Sequence, residues 1–196
     1  MLELAVLGLL SESPLHGYEL RKRLATLLGA FRAFSFGSLY PTLRKLSEAG
    51  WISEEEPGEL ALEHRNDEGA RSGALRPIGV PAAKSRRGKR VYQLTAEGKE
   101  HFADLLARVG PEAYDDEGFG ARLAFFAQTR SEVRMQILEG RRRRVEEQRD
   151  GMATSLANRR ARLDRYTRQL QEHGLESVDR EVRWLTELID DERAEH

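Results

Sequence analysis

The sequence predicts a mainly α-helical chain with a small β element, and three observations carry that expectation. Apolar residues recur at helical spacing along most of the 196 residues, for example at Leu39, Leu43 and Leu46 and again at Val178, Val182, Leu185 and Ile189. Only two short stretches, 51–55 and 90–95, have strand content, the second through Val91, Tyr92 and Leu94. Charged residues make up 33% of the chain and aromatic residues only 7%, a balance that favours thin helical layers over one large core.

Taken in order, residues 2–11 form an apolar helix with Leu2, Val6, Leu9 and Leu10 on one face, stopped by Ser13-Pro14. A second helix is expected over 15–28, burying Leu20, Leu24 and Leu27 and ending at Gly29. Its outer face carries Arg21, Lys22 and Arg23, either as a solvated face or as phosphate contacts. His16 and Tyr18 sit near its start, where exposed backbone N–H groups favour an anion. Residues 30–34 connect to a third helix whose N-cap is Ser35 or Ser38 and which is closed by Gly50. Pro41 is easier to place in the first turn if Ser38 is the cap. Opposite its leucine stripe this helix presents Ser38, Thr42 and Lys45, bordered by Tyr40, Pro41 and Arg44. A short helix with one greasy face and one small, polar and basic face suits a DNA groove, and it equally suits an ordinary amphipathic helix.

Between the two strands lie residues 57–89, far longer than a usual hairpin loop. The insert is polarised: its first part is acidic, whereas Lys84 to Arg90 brings Arg86, Arg87 and Lys89 to its basic end. Few bulky apolar residues and repeated proline, glycine and serine make it read as disordered. Thr95 then caps a helix burying Phe102, Leu105, Leu106 and Val109, which Gly110-Pro111 ends. Residues 114–118 read as a linker, followed by an aromatic patch at Phe119, Leu123, Phe125 and Phe126. From 131 to about 172 heptad spacing holds at Leu138, Val145 and Met152 and, after a four-residue step, at Leu156, Leu163 and Leu170, as in a coiled coil with a stutter. The arginine run 141–144 is interleaved with acids, so it is either a solvated helix face or a nucleic-acid patch. His173-Gly174 is expected to break this helix before the last one, giving an antiparallel hairpin whose apolar stripe a second chain would cover.

Four motifs occur in order: Leu-His-Gly-Tyr-Glu-Leu at 15–20, Gly-Ser-Leu-Tyr-Pro-Thr-Leu-Arg-Lys-Leu at 37–46, Ala-Gly-Trp-Ile at 49–52, and Arg-Val-Tyr-Gln-Leu-Thr-Ala-Glu-Gly at 90–98. Together they resemble the PadR family of winged helix-turn-helix transcriptional regulators, closely over residues 1–110 and only in composition beyond. The resemblance implies an N-terminal winged helix-turn-helix at 1–110, with the β strands as its wing, and a C-terminal antiparallel helical or coiled-coil dimerisation domain at 111–196. The long insert at 57–89 departs from the compact wing of much of the family.

The function expected is sequence-specific binding of a palindromic double-stranded DNA operator by a homodimeric repressor. Ser38, Tyr40, Pro41, Thr42, Arg44 and Lys45 would meet the groove, with His16, Tyr18, Arg21, Arg86, Arg87 and Lys89 around it. Leu138, Val145, Met152, Leu156, Leu163, Leu170, Val178, Val182, Leu185 and Ile189 would form the dimer seam. The family resemblance further implies a small-molecule effector that relieves repression. Phe119, Leu123 and Phe126 are candidates for part of its site, or else pack as core between the two domains. The alternative reading is a non-regulatory helical interaction module, which would show no salt-dependent DNA binding.

The net charge of −1 divides into +2 over residues 1–110 and −3 over 111–196, so DNA binding would depend on where the charges sit. With no cysteine, disulfides and thiolate metal sites are excluded. The five histidines have no ligand spacing, and no nucleophile, dinucleotide or P-loop fingerprint appears, which argues against an enzyme and implies no cofactor. No apolar run approaches the roughly 18 residues of a membrane span, and the N-terminus lacks a basic signal region, so a cytoplasmic location is expected.

Overall fold

A computed structural model describes residues 1–29, 36–55 and 90–195, the side chains of Phe36 and Arg160 excepted. The connection at 30–35, with Ser35, and the insert at 57–89, with Arg86, Arg87 and Lys89, lie outside the described residues.

Helix α1 (Leu2–Glu12) is apolar all round and buried on all sides over its middle, where Leu4, Ala5, Val6, Leu7, Leu9 and Leu10 are all core residues. The stripe expected from Leu2, Val6, Leu9 and Leu10 is thus part of a larger buried surface. Ser13, held before Pro14, is extended at φ −166 and ψ 156, and the chain stays extended through β1 (Leu15–His16). The helix expected to start at 15 is therefore two residues shorter: α2 runs Gly17–Leu28, and Leu15 pairs with Tyr92 instead. Leu20, Leu24 and Leu28 are its buried residues, while Leu27 is only partly covered.

A 3-10 turn (Phe36–Ser38) leads into α3 (Leu39–Glu48), with Ser38 at the N-cap position. Pro41 falls in the first turn, where a missing N–H breaks no helical bond. Leu39, Leu43 and Leu46 are buried as the spacing predicts. Gly50 leaves the helix at φ +76, a left-handed conformation that glycine adopts without strain, and the Trp51 N–H donates to Leu46 O at 3.0 Å. Strands β2 (Ile52–Glu55) and β3 (Val91–Leu94) pair antiparallel with Ile52 opposite Leu94, and the sheet order is β1-β3-β2.

Helix α4 (Ala96–Ala107) begins at Thr95, whose Oγ1 accepts from Gly98 N at 3.0 Å. Phe102 and Leu106 are buried, but Val109, expected in the same stripe, is exposed because the helix ends at Ala107 and Arg108 is extended. Of the expected linker 114–118 only residues 115–117 are a turn, between α5 (Pro111–Tyr114) and α6 (Gly118–Leu123), and Asp115 Oδ1 accepts from Gly118 N at 2.6 Å.

Two apolar clusters result. The first gathers α1 to α4 and the sheet, together with Ala121 and Phe125; the second gathers Ala113 and Phe119 with the C-terminal helices. Phe125 reaches the first cluster because Gly8 makes room: a Cβ on Gly8 would lie 2.3 Å from its ring. Arg122, almost fully buried beside it, donates to Leu105 O in the last turn of α4. Burial pushes its guanidinium pKa down, and Glu112 partly opposes that shift.

Helices α7 (Ser131–Arg159) and α8 (Arg165–Ala194) form the antiparallel hairpin, but its turn is at 160–164 and not at 173–174. Leu163 is extended and Asp164 caps α8, its Oδ1 accepting from Tyr166 N at 2.9 Å and Thr167 N at 3.0 Å. Gly174 lies inside α8, where its missing side chain admits Met152: a Cβ there would be 3.1 Å from the Met152 methyl. The continuous seam expected from 138 to 170 is accordingly folded back on itself. Leu138, Val145, Val178, Leu185 and Ile189 are buried within the single chain, Met152, Leu156, Leu163 and Val182 are half-buried, and Leu170 is 71% exposed. The hairpin covers half of the expected stripe without a partner, correcting the expectation that only a second chain would cover it. Among the described residues no helix is long and apolar enough to cross a membrane.

Candidate nucleic-acid interface

The exposed face of α3 is built by its buried one. With Leu39, Leu43 and Leu46 fixed in the core, Tyr40, Pro41, Arg44 and Lys45 are turned outward, with Thr42 half-buried between them. Tyr40 is 60% exposed and Tyr18, at the start of α2, is 74% exposed. These two helices approach closely: a Cβ on Gly17 would lie 3.9 Å from the Tyr40 ring and 3.4 Å from Tyr92. Two exposed tyrosines on neighbouring helices, with two cations one turn further along α3, make an exposed polar and aromatic surface.

The hydroxyl of Thr42 donates to Ser38 O at 2.8 Å, so it offers lone pairs and a methyl group outward rather than a proton. His16 occupies the N-cap of α2, and its backbone N–H donates to Glu19 Oε2 at 3.2 Å. A carboxylate of the chain thus already stands at the helix start where the sequence suggested an anion. In the triplet 21–23 all three side chains are exposed, Arg23 pairs with Glu12 of α1 at 3.5 Å, and Lys22 and Arg23 line a groove of about 470 Å³ with Leu9, Glu12, Glu19, Thr26 and Leu27.

At the base of the strands Arg90 pairs with Glu54, a contact that the sequence did not single out because the partners are separated by the whole insert. Burial raises the pKa of the Tyr92 phenol, and Glu54 adds to the shift, so Tyr92 stays a neutral part of the sheet. Arg86, Arg87 and Lys89 come just before Arg90 in sequence and lie outside the described residues. Glu19 and Glu54 are the acidic members of the surface that sequence reasoning missed; the i+3 spacing of His16 and Glu19 was the available signal for the first.

Residues 6–65, which hold most of α1 and all of α2, α3 and β2, match the Transcriptional regulator PadR-like family. The similarity to that family model is confined to these residues, under a third of the chain. The negative transcriptional regulator PadR of Bacillus subtilis is 27% identical over 119 residues, covering 60% of this chain and 52% of that protein. The aligned stretch thus spans about half the length of that PadR relative. Solved structures of Bacillus subtilis PadR, one in complex with operator DNA and one with p-coumaric acid, are each 21% identical with a TM-score of 0.40. The first covers 97% of this chain and 98% of its own, the second 98% of both.

The other expected sites are placed as follows. Phe119 is only 1% exposed: its ring meets Trp184 edge-on at 6.1 Å, and the Arg141 guanidinium lies 5.4 Å above it. It is filled core in this conformation, and Leu123 and Phe126 pack against the same cluster. A cavity of about 360 Å³ lies just beyond Phe126, between α4 and the start of α7, lined by Leu106, Gln128, Thr129, Arg130 and Val133 among others.

Proposed function

We propose that the chain is a sequence-specific DNA-binding transcriptional regulator, acting as a homodimeric repressor of a palindromic operator. The observation that supports this most is the exposed face of α3, with Tyr40, Thr42, Arg44 and Lys45 backed by three buried leucines and flanked by Tyr18 of α2. In this reading α3 enters the major groove, Thr42 and Tyr40 meet base edges and sugars, and Arg44, Lys45 and Arg21 meet phosphates. Residues 1–110 form the DNA-binding domain and 111–196 the dimerisation domain, whose second chain covers Leu170 and the half-buried Met152, Leu156 and Leu163.

An aromatic acid of the kind bound by the Bacillus subtilis relative is the effector class we favour. It would enter the cavity between α4 and α7, where Arg130 supplies a cation and Leu106 and Val133 supply apolar walls. The experiment is selection of duplexes from a random library by the purified chain, followed by affinity measurements against salt. Recovery of a two-fold symmetric sequence, bound with a steep salt dependence, is the expected result. No enrichment, or binding indifferent to salt, would instead favour a helical interaction module that uses its helix-turn-helix only for packing.

A further inference from the structure

The end of α3 is held by a contact that none of the expected site residues makes. Trp51, the residue after Gly50, closes α3 through its N–H and receives the N–H of Thr95 on its carbonyl at 3.2 Å. The first turn of α4 is pressed onto the same carbonyl, since a Cβ on Gly98 would lie 1.9 Å from it. One turn further along α4, His101 stacks face to face on the Trp51 indole, with ring centroids 3.5 Å apart and planes at 11°. The other edge of that imidazole is fixed as well: Nε2 lies 2.6 Å from Glu3 Oε1, on α1. Its N–H donates to the carboxylate, which also sets the ring's orientation.

We infer that His101 is a positioning residue for DNA recognition: bound to Glu3 and stacked on Trp51, it fixes the angle at which α3 and the strand after it leave the core. This rests on the function proposed above and deepens it. The physical reason is leverage. The aromatic plate lies at the junction of α3 and β2, so a small rotation of Trp51 moves both the exposed helix face and the wing. Thr95 Oγ1, which donates to Gly50 O at 2.7 Å, ties the backbone of the junction but leaves the indole free to turn. The histidine stack is what stops it. Both rings are partly buried, and neither belongs to the exposed face of α3. The effect on DNA must therefore pass through geometry rather than contact.

The test uses the full chain carrying Trp184→Phe, which leaves Trp51 as the single tryptophan. His101→Gln keeps a hydrogen-bonding group for Glu3 and loses the ring; His101→Phe keeps the ring and loses the bond. Each is measured for Trp51 emission, for thermal midpoint, and for affinity to a duplex selected from a random library and to a scrambled duplex of the same length. In His101→Gln, Trp51 emission should rise as the quenching imidazole is removed. Affinity for the selected duplex should fall roughly tenfold, about 1.4 kcal/mol. Binding to the scrambled duplex and the slope of log K against log salt should stay unchanged, because every phosphate keeps its cation. His101→Phe should recover most of the discrimination.

A His101→Gln chain that discriminates the two duplexes as well as its parent overturns the inference alone. So does one that loses affinity for both duplexes equally along with its melting transition, which would make His101 simply structural. A parent chain that does not tell the duplexes apart overturns the regulator reading itself, and this one with it.

Discussion

Arg141 and Glu181 hold the C-terminal hairpin together from inside: Arg141 Nε donates to Glu181 Oε1 at 2.8 Å across the two long helices. The same guanidinium reaches Asp116 Oδ1 at 2.6 Å and lies over the Phe119 ring, so one side chain ties α7, α8 and the turn before α6. Within the run 141–144, only Arg141 is buried; Arg142 leans on Glu146 at 3.9 Å, and Arg143 and Arg144 are exposed. Arg141→Ala should therefore cost about 1.5–3 kcal/mol, the usual net contribution of a hydrogen bond to a charged group. Arg144→Ala should stay within about 0.5 kcal/mol of the parent. Urea unfolding followed by circular dichroism separates the two, and equal midpoints would show that the buried arginine is not a structural tie.

The close fit of Phe125 against Gly8 gives a second expectation. Alanine at position 8 would gain helix propensity worth about 1 kcal/mol. It would also drive a methyl to 2.3 Å from an aromatic ring held in the core by Phe102, and overpacking of that kind costs about 1–3 kcal/mol. Because the ring is wedged between α1 and α4, Gly8→Ala should lower the thermal midpoint. A raised midpoint would mean that the α6 segment moves aside freely.

Asp164 makes the stability of α8 depend on pH. Its pKa is lowered, first by the hydrogen bond from the Thr167 side chain and then by the backbone N–H groups of Thr167 and Tyr166. A carboxylate with a depressed folded pKa contributes stability that is present above its unfolded value and lost as pH falls through the folded one. Asp164→Ala should therefore fray the first turn of α8 at neutral pH. The difference from the parent should fade below the ordinary aspartate range. Amide exchange at Tyr166 and Thr167 against pH is the measurement, and a difference that persists unchanged into strong acid would show that the cap does not titrate as described.

These two ends of the hairpin show what could be read in the sequence. Leu39, Leu43, Leu46 and Gly50 announced α3 because a period and a stop signal agree, and both are local. The turn at 160–164 was missed because Asp164 is one acid among many in a charged stretch, whereas His173-Gly174 looks like a break. Only the approach of Met152 from the other helix makes Gly174 a packing glycine, and that is a tertiary fact. The same limit hid the pairing of Arg90 with Glu54 and the stacking of His101 on Trp51. For Phe119 the sequence left a ligand contact and core packing both open, and the ring is enclosed as core.

If α3 reads DNA, Tyr40 and the cations beyond it should fail in different ways. Tyr40→Ala should weaken binding to a selected duplex by about 1–3 kcal/mol, the usual worth of one base-edge contact, and leave scrambled DNA almost unaffected. Arg44→Gln with Lys45→Gln should weaken both, and the salt slope should become shallower by roughly 0.9 for each phosphate left without its cation. Titrations at several salt concentrations distinguish these patterns. A Tyr40 variant that discriminates like the parent would remove this face of α3 from the interface.

The hairpin changes where a second chain can dock. A dimeric helix-turn-helix protein holds its recognition helices about 34 Å apart, so the second chain must be fixed on a rigid part of the first. Leu185 and Ile189 cannot report on that contact, because they are already enclosed between α7 and α8: Leu185→Glu should unfold the hairpin rather than separate two chains. Leu170, 71% exposed, and Tyr166, 81% exposed, lie on α8 near the hairpin turn and leave apolar surface uncovered within the chain. Burying a leucine in a second chain contributes about 1.5–3 kcal/mol per site and acts twice in a symmetric dimer. Leu170→Glu should then yield a folded monomer with an unchanged melting profile at low concentration and an operator affinity reduced far more than its affinity for random DNA. Sedimentation of parent and variant at micromolar concentration decides it. A parent already monomeric there, or a Leu170→Glu chain that sediments as the parent does, would move the partner's docking surface away from this end of α8.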